Sequence, residues 1–157
     1  MHQLYVASVW LHLIAMATWM GGMVFLAAVV LPALRQGGPK AVGEFMAKAA
    51  PRLRLVGWTC LIILGATGWA QLGFRGMAWN ANPVIVTKIA IYLTIVVISL
   101  LHDFWLGPKA SVAMRDDPHS PVTLRLRKLA LRMGRVTALL AMLVVTLGVF
   151  IVRGVPW

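Results

Sequence analysis

Residues 82–110 read NPVIVTKIAIYLTIVVISLLHDFWLGPKA. Pro83 opens the run and Gly107-Pro108 closes it, and the positions between are mostly Val, Ile and Leu. At ~1.5 Å rise per residue, residues 83–106 would cover about 36 Å as a helix, more than the roughly 30 Å of a bilayer core. The run is not uniformly apolar. On a helix at ~100° per residue, Lys88, Tyr92, Ser99 and His102 share an arc of about 80°, with Asp103 at its border. Ionisable groups at membrane depth are costly, so this stripe is expected to face a bundle interior, a cavity or a ligand.

Composition extends that reading to the whole chain. The 157 residues are 61% hydrophobic and 12% charged, and the mean hydropathy is +0.84. Soluble domains carry about 25% charged residues, so this is an integral membrane protein. The net charge of +11 would suggest nucleic acid in a soluble chain. Here the charges sit in two connections, which points to topology and anionic lipid instead, and nucleic acid is not expected. The single Cys60 excludes an intrachain disulfide and a multi-cysteine metal site. No Lys or Arg precedes the first apolar run, which therefore reads as a span and not as a signal peptide.

Four spans are expected, at about residues 4–31, 53–74, 83–106 and 129–152, in one transmembrane domain. The fold class is all-α, an antiparallel four-helix bundle. The segment 35–54 carries Arg35, Lys40, Lys48, Arg52 and Arg54, and its residues 40–50 suit a short surface helix. The segment 108–128 carries Lys109, Arg115, Arg125, Arg127 and Lys128, and Arg132 and Arg135 follow just inside the fourth span. These basic residues share one side, which the positive-inside rule places in the cytoplasm, with both termini outside a plasma (inner) membrane. Tyr5, Trp79 and Trp157 on the outer side, and Trp58 and Trp105 on the inner, suit interfacial belts.

Candidate sites divide by depth. In the outer half, His12, Met16, Trp19 and Met23 fall within about 60° on the first helix, with Tyr5 and Ser8 above them. Imidazole and thioether together suit a soft metal, whereas a Met stripe alone is ordinary core filling. Lys88 and Tyr92 belong to this half, and Cys60, Thr67 and Gln71 share an arc of the second helix. In the inner half, His102 and Asp103 meet the level of Arg52, Arg54, Arg132 and Arg135. Those arginines suit an anionic group, and Asp103 is expected to pair with Arg132 or Arg135. His12 and His102 differ in height by roughly 15 Å at ~1.5 Å per residue, too far to ligate one iron together. The chain has no Gly-rich phosphate loop, HExxH, paired carboxylates or serine-hydrolase motif, and no catalytic residue is assigned.

WLHLIAMATWMGGMVFLAAVVLP resembles the first helix of the CopD copper-resistance family, with its His followed by Trp and Gly-Gly. PRLRLVGWTCLIILGATGW looks like that family's second helix. The run opening at Asn82 looks like its Lys-bearing third helix, in short variants ending in His-Asp-Phe and Gly-Pro, and RMGRVTALLAMLVVTLGVFIVRG is similar in pattern to the last. A more remote likeness is to the haem-binding HemJ proteins, which share the His–Trp–Gly pattern and a Lys followed by a His. The resemblances imply copper handling, with His12, Met16, Met23 and His102 as metal ligands. Alternatively they imply a b-type haem redox protein, in which His12 and His102 are axial ligands at separate sites. Lys88, Tyr92, Arg52, Arg132 and Arg135 would then help hold the cofactor. A structural or assembly subunit is the third alternative. Expected partners are the lipid bilayer, anionic lipids on the cytoplasmic side, and a redox partner or metallochaperone. Enzymatic activity and oligomeric state stay open.

Overall fold

A computed structural model describes residues 1–153, so Trp157 lies outside the described residues. Four long helices account for nearly all of them: α1 His2–Arg35, α2 Gly38–Phe74, α3 Pro83–Asp116 and α4 Pro121–Arg153. Each is long and apolar enough to cross a membrane, and together they make an all-α, four-helix membrane-spanning bundle. The upper end is where α1 begins and α4 finishes. The lower end carries the two basic connections.

Three of the four helices run past prolines that lie just outside the expected spans. The physical reason is visible beside two of them. Proline lacks an N–H and its ring collides with the carbonyl four residues back. Ahead of Pro32, residues Leu26–Val30 widen into a π-helical turn, and the Leu31 N–H donates to the Leu26 carbonyl five residues back. Ahead of Pro108, His102–Leu106 do the same, and the Gly107 N–H donates to the His102 carbonyl. Widening by one residue relieves the ring without ending the helix. Gly107 is needed there, because a Cβ would stand 3.0 Å from the His102 carbonyl oxygen. In α2, Pro51 lies inside a helix that starts at Gly38. The segment expected to be a loop with a short surface helix is thus the first part of α2 itself.

Helix ends follow local chemistry. Asn82 Oδ1 accepts the Val84 N–H at 2.8 Å, and Pro83 takes the first helical position of α3. Ser120 Oγ accepts the Thr123 N–H at 3.3 Å ahead of α4. At the end of α2, Gly76 adopts φ 62°. Its N–H reaches the Gly73 carbonyl and the Met77 N–H the Leu72 carbonyl, both at 3.0 Å, which is a Schellman ending.

Packing is uneven. The principal contacts are α1 against α2, α3 against α4, and the lower part of α2 against the lower end of α3. Gly43 on α2 makes the last possible, since a Cβ there would stand 3.0 Å from the Arg115 nitrogen and 3.1 Å from the Ser111 carbonyl oxygen. Higher up, α2 and α3 meet mainly through side chains. Tyr92 reaches over Gly65 and donates its hydroxyl to the Leu61 carbonyl at 2.9 Å. The pairs are thus closed tightly below and more loosely above, where the polar side chains collect.

Candidate functional site

The upper half gathers polar groups from three helices. α1 presents Ser8 and His12 one turn apart, α2 presents Thr67 and Gln71 one turn apart, and α3 presents Lys88. The Thr67 hydroxyl donates to the Ile63 carbonyl at 2.6 Å. The same oxygen lies 2.7 Å from His12 Nδ1 and must therefore accept there. This fixes the imidazole: Nδ1 carries a proton, and in the neutral ring Nε2 keeps a free lone pair. The ring lies over Gly68, where a Cβ would stand 3.7 Å from Cε1.

Lys88 is half-buried and reaches α4, where a Cβ on Gly148 would stand 3.3 Å from Nζ. Its charge is close enough to act on His12, and Arg75 is close enough to act on Lys88. Among the described residues no carboxylate pairs with them. The acidic side chains of the chain are Glu44, Asp103, Asp116 and Asp117, all toward the lower end, and the two ion pairs among the described residues are also there. Two more polar atoms of this region are buried with no protein partner, Ser8 Oγ and Gln71 Nε2. The upper site is therefore rich in donors, cationic, and incompletely satisfied.

The lower half is arranged differently. Trp58 Nε1 donates to Asp103 Oδ2 at 3.1 Å, and Asp103 Oδ1 lies 2.9 Å from His102 Nδ1. Trp58 thus ties α2 to α3. The Arg54 guanidinium lies 4.7 Å from the Phe104 ring centroid, with its Nε buried and unpartnered. Arg52, Arg132 and Arg135 are exposed, and among the described residues none of them forms an ion pair with Asp103. Asp103 is engaged by Trp58 and His102 in place of the arginine expected from the sequence. Tyr92 lies between the halves and serves α2–α3 packing.

His12, bonded to Thr67, and Lys88 lie in the upper half, and His102, beside Asp103, lies in the lower half. Thr67 and Gln71 share an arc in the sequence, but their roles as His12 partner and unsatisfied amide require the fold. Trp58 looks like a belt residue until its hydrogen bond is seen.

The expectation of copper handling or of haem-based electron transfer is corrected by the donor arrangement. Among the described residues no three His, Cys, Asp or Glu side chains come together in a way that could hold a metal ion. The physical reason is that each histidine is engaged alone. His12 Nδ1 is taken by Thr67 and His102 Nδ1 by Asp103, at opposite ends of the bundle. Met16 and Met23 are half-buried with no thiolate or second imidazole to complete a set, Met142 is 57% exposed, and Cys60 is buried alone. Neither copper nor b-type haem is supported as a cofactor.

Comparison with known proteins gives the family. A protein of Aquifex aeolicus described as "Uncharacterized protein" is 35% identical over 150 residues, covering 92% of each chain. No solved structure matches the chain. The family described as "Domain of unknown function (DUF4149)" matches residues 14–119, a stretch that runs from the middle of α1 to the turn before α4. That match covers more than half of the chain, and this small multi-pass membrane protein belongs to the DUF4149 family.

Proposed function

We propose that the protein binds a small oxyanion, a carboxylate or a phosphate, between α1, α2 and α3 in the upper half of the bundle. The observation that carries this reading is a half-buried ammonium, Lys88, with no carboxylate paired to it among the described residues, in the same half of the bundle as an unpartnered amide donor, Gln71 Nε2. A buried cation without a counter-charge is expensive, and so is a buried donor without an acceptor. One oxyanion answers both. His12 borders the site, held in one orientation by Thr67. His12 and Lys88 also carry the likeness to CopD and HemJ, and on this reading they serve ligand binding without a metal.

Orientation belongs to the same proposal. Apart from Arg75, Lys88 and Arg153, the Lys and Arg residues of the chain lie at the lower end, which the positive-inside rule places in the cytoplasm of a plasma (inner) membrane. That end would meet anionic lipids, and the anion site would open from outside. Single cysteines at Asn80 and His119, in a chain whose Cys60 is replaced, test this with a membrane-impermeant thiol reagent. Labelling of position 119 in intact cells would reverse the orientation.

The binding reading is tested on the purified protein with acetate and inorganic phosphate as probes. Each stabilises the wild type in proportion to its occupancy. Lys88→Gln removes the stabilisation, and Gln71→Leu weakens binding about tenfold, the worth of a hydrogen bond to a charged group. Equal stabilisation of wild type and Lys88→Gln by both probes would reject the reading.

A further inference from the structure

A second feature of the upper end lies outside the anion site. Two recesses of about 370 Å³ each adjoin one another there. One, at the end of the bundle, is lined by Met1, His2, Tyr5, Gly73 and Phe74. The other is an open groove between α1 and α2, floored by the small residues Ala7, Ala66 and Ala70 and flanked by Leu4 and Leu11. Phe74 lines both. The groove looks outward, since Leu4 is 63% and Leu11 46% exposed. In a membrane-spanning bundle that direction is lipid.

The two recesses differ in chemistry along their length. Arg75 follows Phe74 at the end of the bundle, and its guanidinium donates to the Tyr5 hydroxyl at 2.8 and 3.2 Å. It has no carboxylate partner among the described residues. About one helical turn deeper, ~5 Å, Ser8 lines the groove with its hydroxyl buried and unpartnered. Below Ser8 the lining is apolar apart from Thr67, whose hydroxyl is already used by Ile63 and His12. The order is cation, free hydroxyl, apolar channel, read from the end of the bundle inward.

We propose that these two neighbouring recesses together are the seat of an acidic glycerophospholipid. Its phosphate meets Arg75 and Tyr5, an ester oxygen accepts from Ser8, and one acyl chain lies in the groove over Ala7, Ala66 and Ala70. The charge complementarity selects the acidic class, because a choline ammonium on the headgroup would meet the guanidinium as a like charge. The groove and the hydroxyl, which a free phosphate would leave unused, select a lipid over a soluble anion. Neither recess is lined by His12, Gln71 or Lys88, so the lipid seat and the oxyanion site are tested by different substitutions.

Retention of phosphatidylglycerol and phosphatidylcholine of equal chain length, measured by native mass spectrometry after extraction from mixed vesicles, tests the proposal. The wild type retains phosphatidylglycerol about fivefold over phosphatidylcholine, the worth of one basic residue. Arg75→Gln loses the preference and Arg75→Lys keeps most of it. Ala66→Phe and Ala7→Phe fill the groove at exposed positions, where the added ring meets no core, and they lose the lipid altogether. Lys88→Gln retains lipid as the wild type does. Equal retention of the two lipids, full retention by the groove-filled variants, or loss in Lys88→Gln would each overturn the assignment.

Discussion

His12 Nδ1 and Thr67 Oγ1, 55 positions apart in sequence, lie 2.7 Å apart between α1 and α2. Thr67 is 7% exposed and spends its own proton on the Ile63 carbonyl, so it can only accept from the imidazole. Thr67→Val keeps the side-chain shape and strands the His12 N–H. It is expected to cost about 1 kcal/mol, near the upper part of what interhelical hydrogen bonds contribute in membranes. Thr67→Ser should cost less. Reversible unfolding in mixed micelles of Thr67→Val, His12→Ala and the double variant measures the coupling, and additive losses would mean that the two side chains do not interact.

Gly65 and Tyr92 form the second linkage, in the middle of the bundle. A Cβ at Gly65 would stand 2.6 Å from the Tyr92 hydroxyl oxygen and 3.2 Å from Cζ. Gly65→Ala therefore pushes the phenol off α2 and breaks its bond to the Leu61 carbonyl, at an expected cost of about 2 kcal/mol. Tyr92→Phe removes the atom that clashes first. Gly65→Ala should be cheaper by about 1 kcal/mol in that background. A penalty independent of residue 92 would place the strain elsewhere.

The spans were readable from the sequence because lipid imposes a simple demand, long apolar runs bounded by charge, and Asn82-Pro83 marks the start of α3 with an ordinary cap. The lengths of the helices were not. Pro32 and Pro108 read as stops, but a π-helical turn ahead of each absorbs the clash, and nothing in residues 26–30 or 102–106 announces that turn. His12 and Lys88 stood out because an ionisable group in an apolar run has to be explained. Thr67 and Gln71 stood out only as sharing an arc with Cys60, since a hydroxyl or amide on a helix gives no sign of what faces it. The methionines misled for a related reason: a thioether stripe has the same periodicity whether it binds a metal or fills space.

At the lower end, Gly43 holds α2 against the last turns of α3. The neighbours of an added Cβ are backbone atoms of Ser111, Met114 and Arg115, at 3.0 to 3.2 Å, which cannot rotate away. Gly43→Ala should separate the two helices and destabilise the fold by roughly 2 kcal/mol. Amide exchange should rise first in residues 107–116, while the upper half, which shares none of these contacts, stays protected. Uniform loss of protection would show that the lower end is not an independent unit.

Asp103 separates two structural roles. Trp58 Nε1 and His102 Nδ1 approach different oxygens of its carboxylate. Asp103→Asn preserves the size and one carbonyl oxygen, which the Trp58 N–H can still use. Asp103→Ala leaves the indole donor with no acceptor and should cost about 1–3 kcal/mol, against less than half of that for the amide. The comparison is made by unfolding the two variants under identical conditions. An equal loss would mean that the contact with His102 dominates, and that Trp58 contributes little to the α2–α3 junction.

Lys88 provides the sharpest contrast between a residue kept for the fold and one kept for a ligand. A half-buried ammonium facing Gly148, with Arg75 as a charged neighbour and no acid among the described residues, works against the empty bundle. Lys88→Met retains the length of the side chain and discards the charge. The empty variant should be more stable than the empty wild type by about 1 kcal/mol, the direction seen when uncompensated buried charge is replaced by apolar volume. In the presence of acetate or inorganic phosphate the order should shrink or reverse, because the wild type alone gains from binding. If instead Lys88→Met is destabilised with and without the probes, the ammonium is held by groups of the protein itself. The site would then be complete as it stands, and the case for a bound oxyanion would be lost.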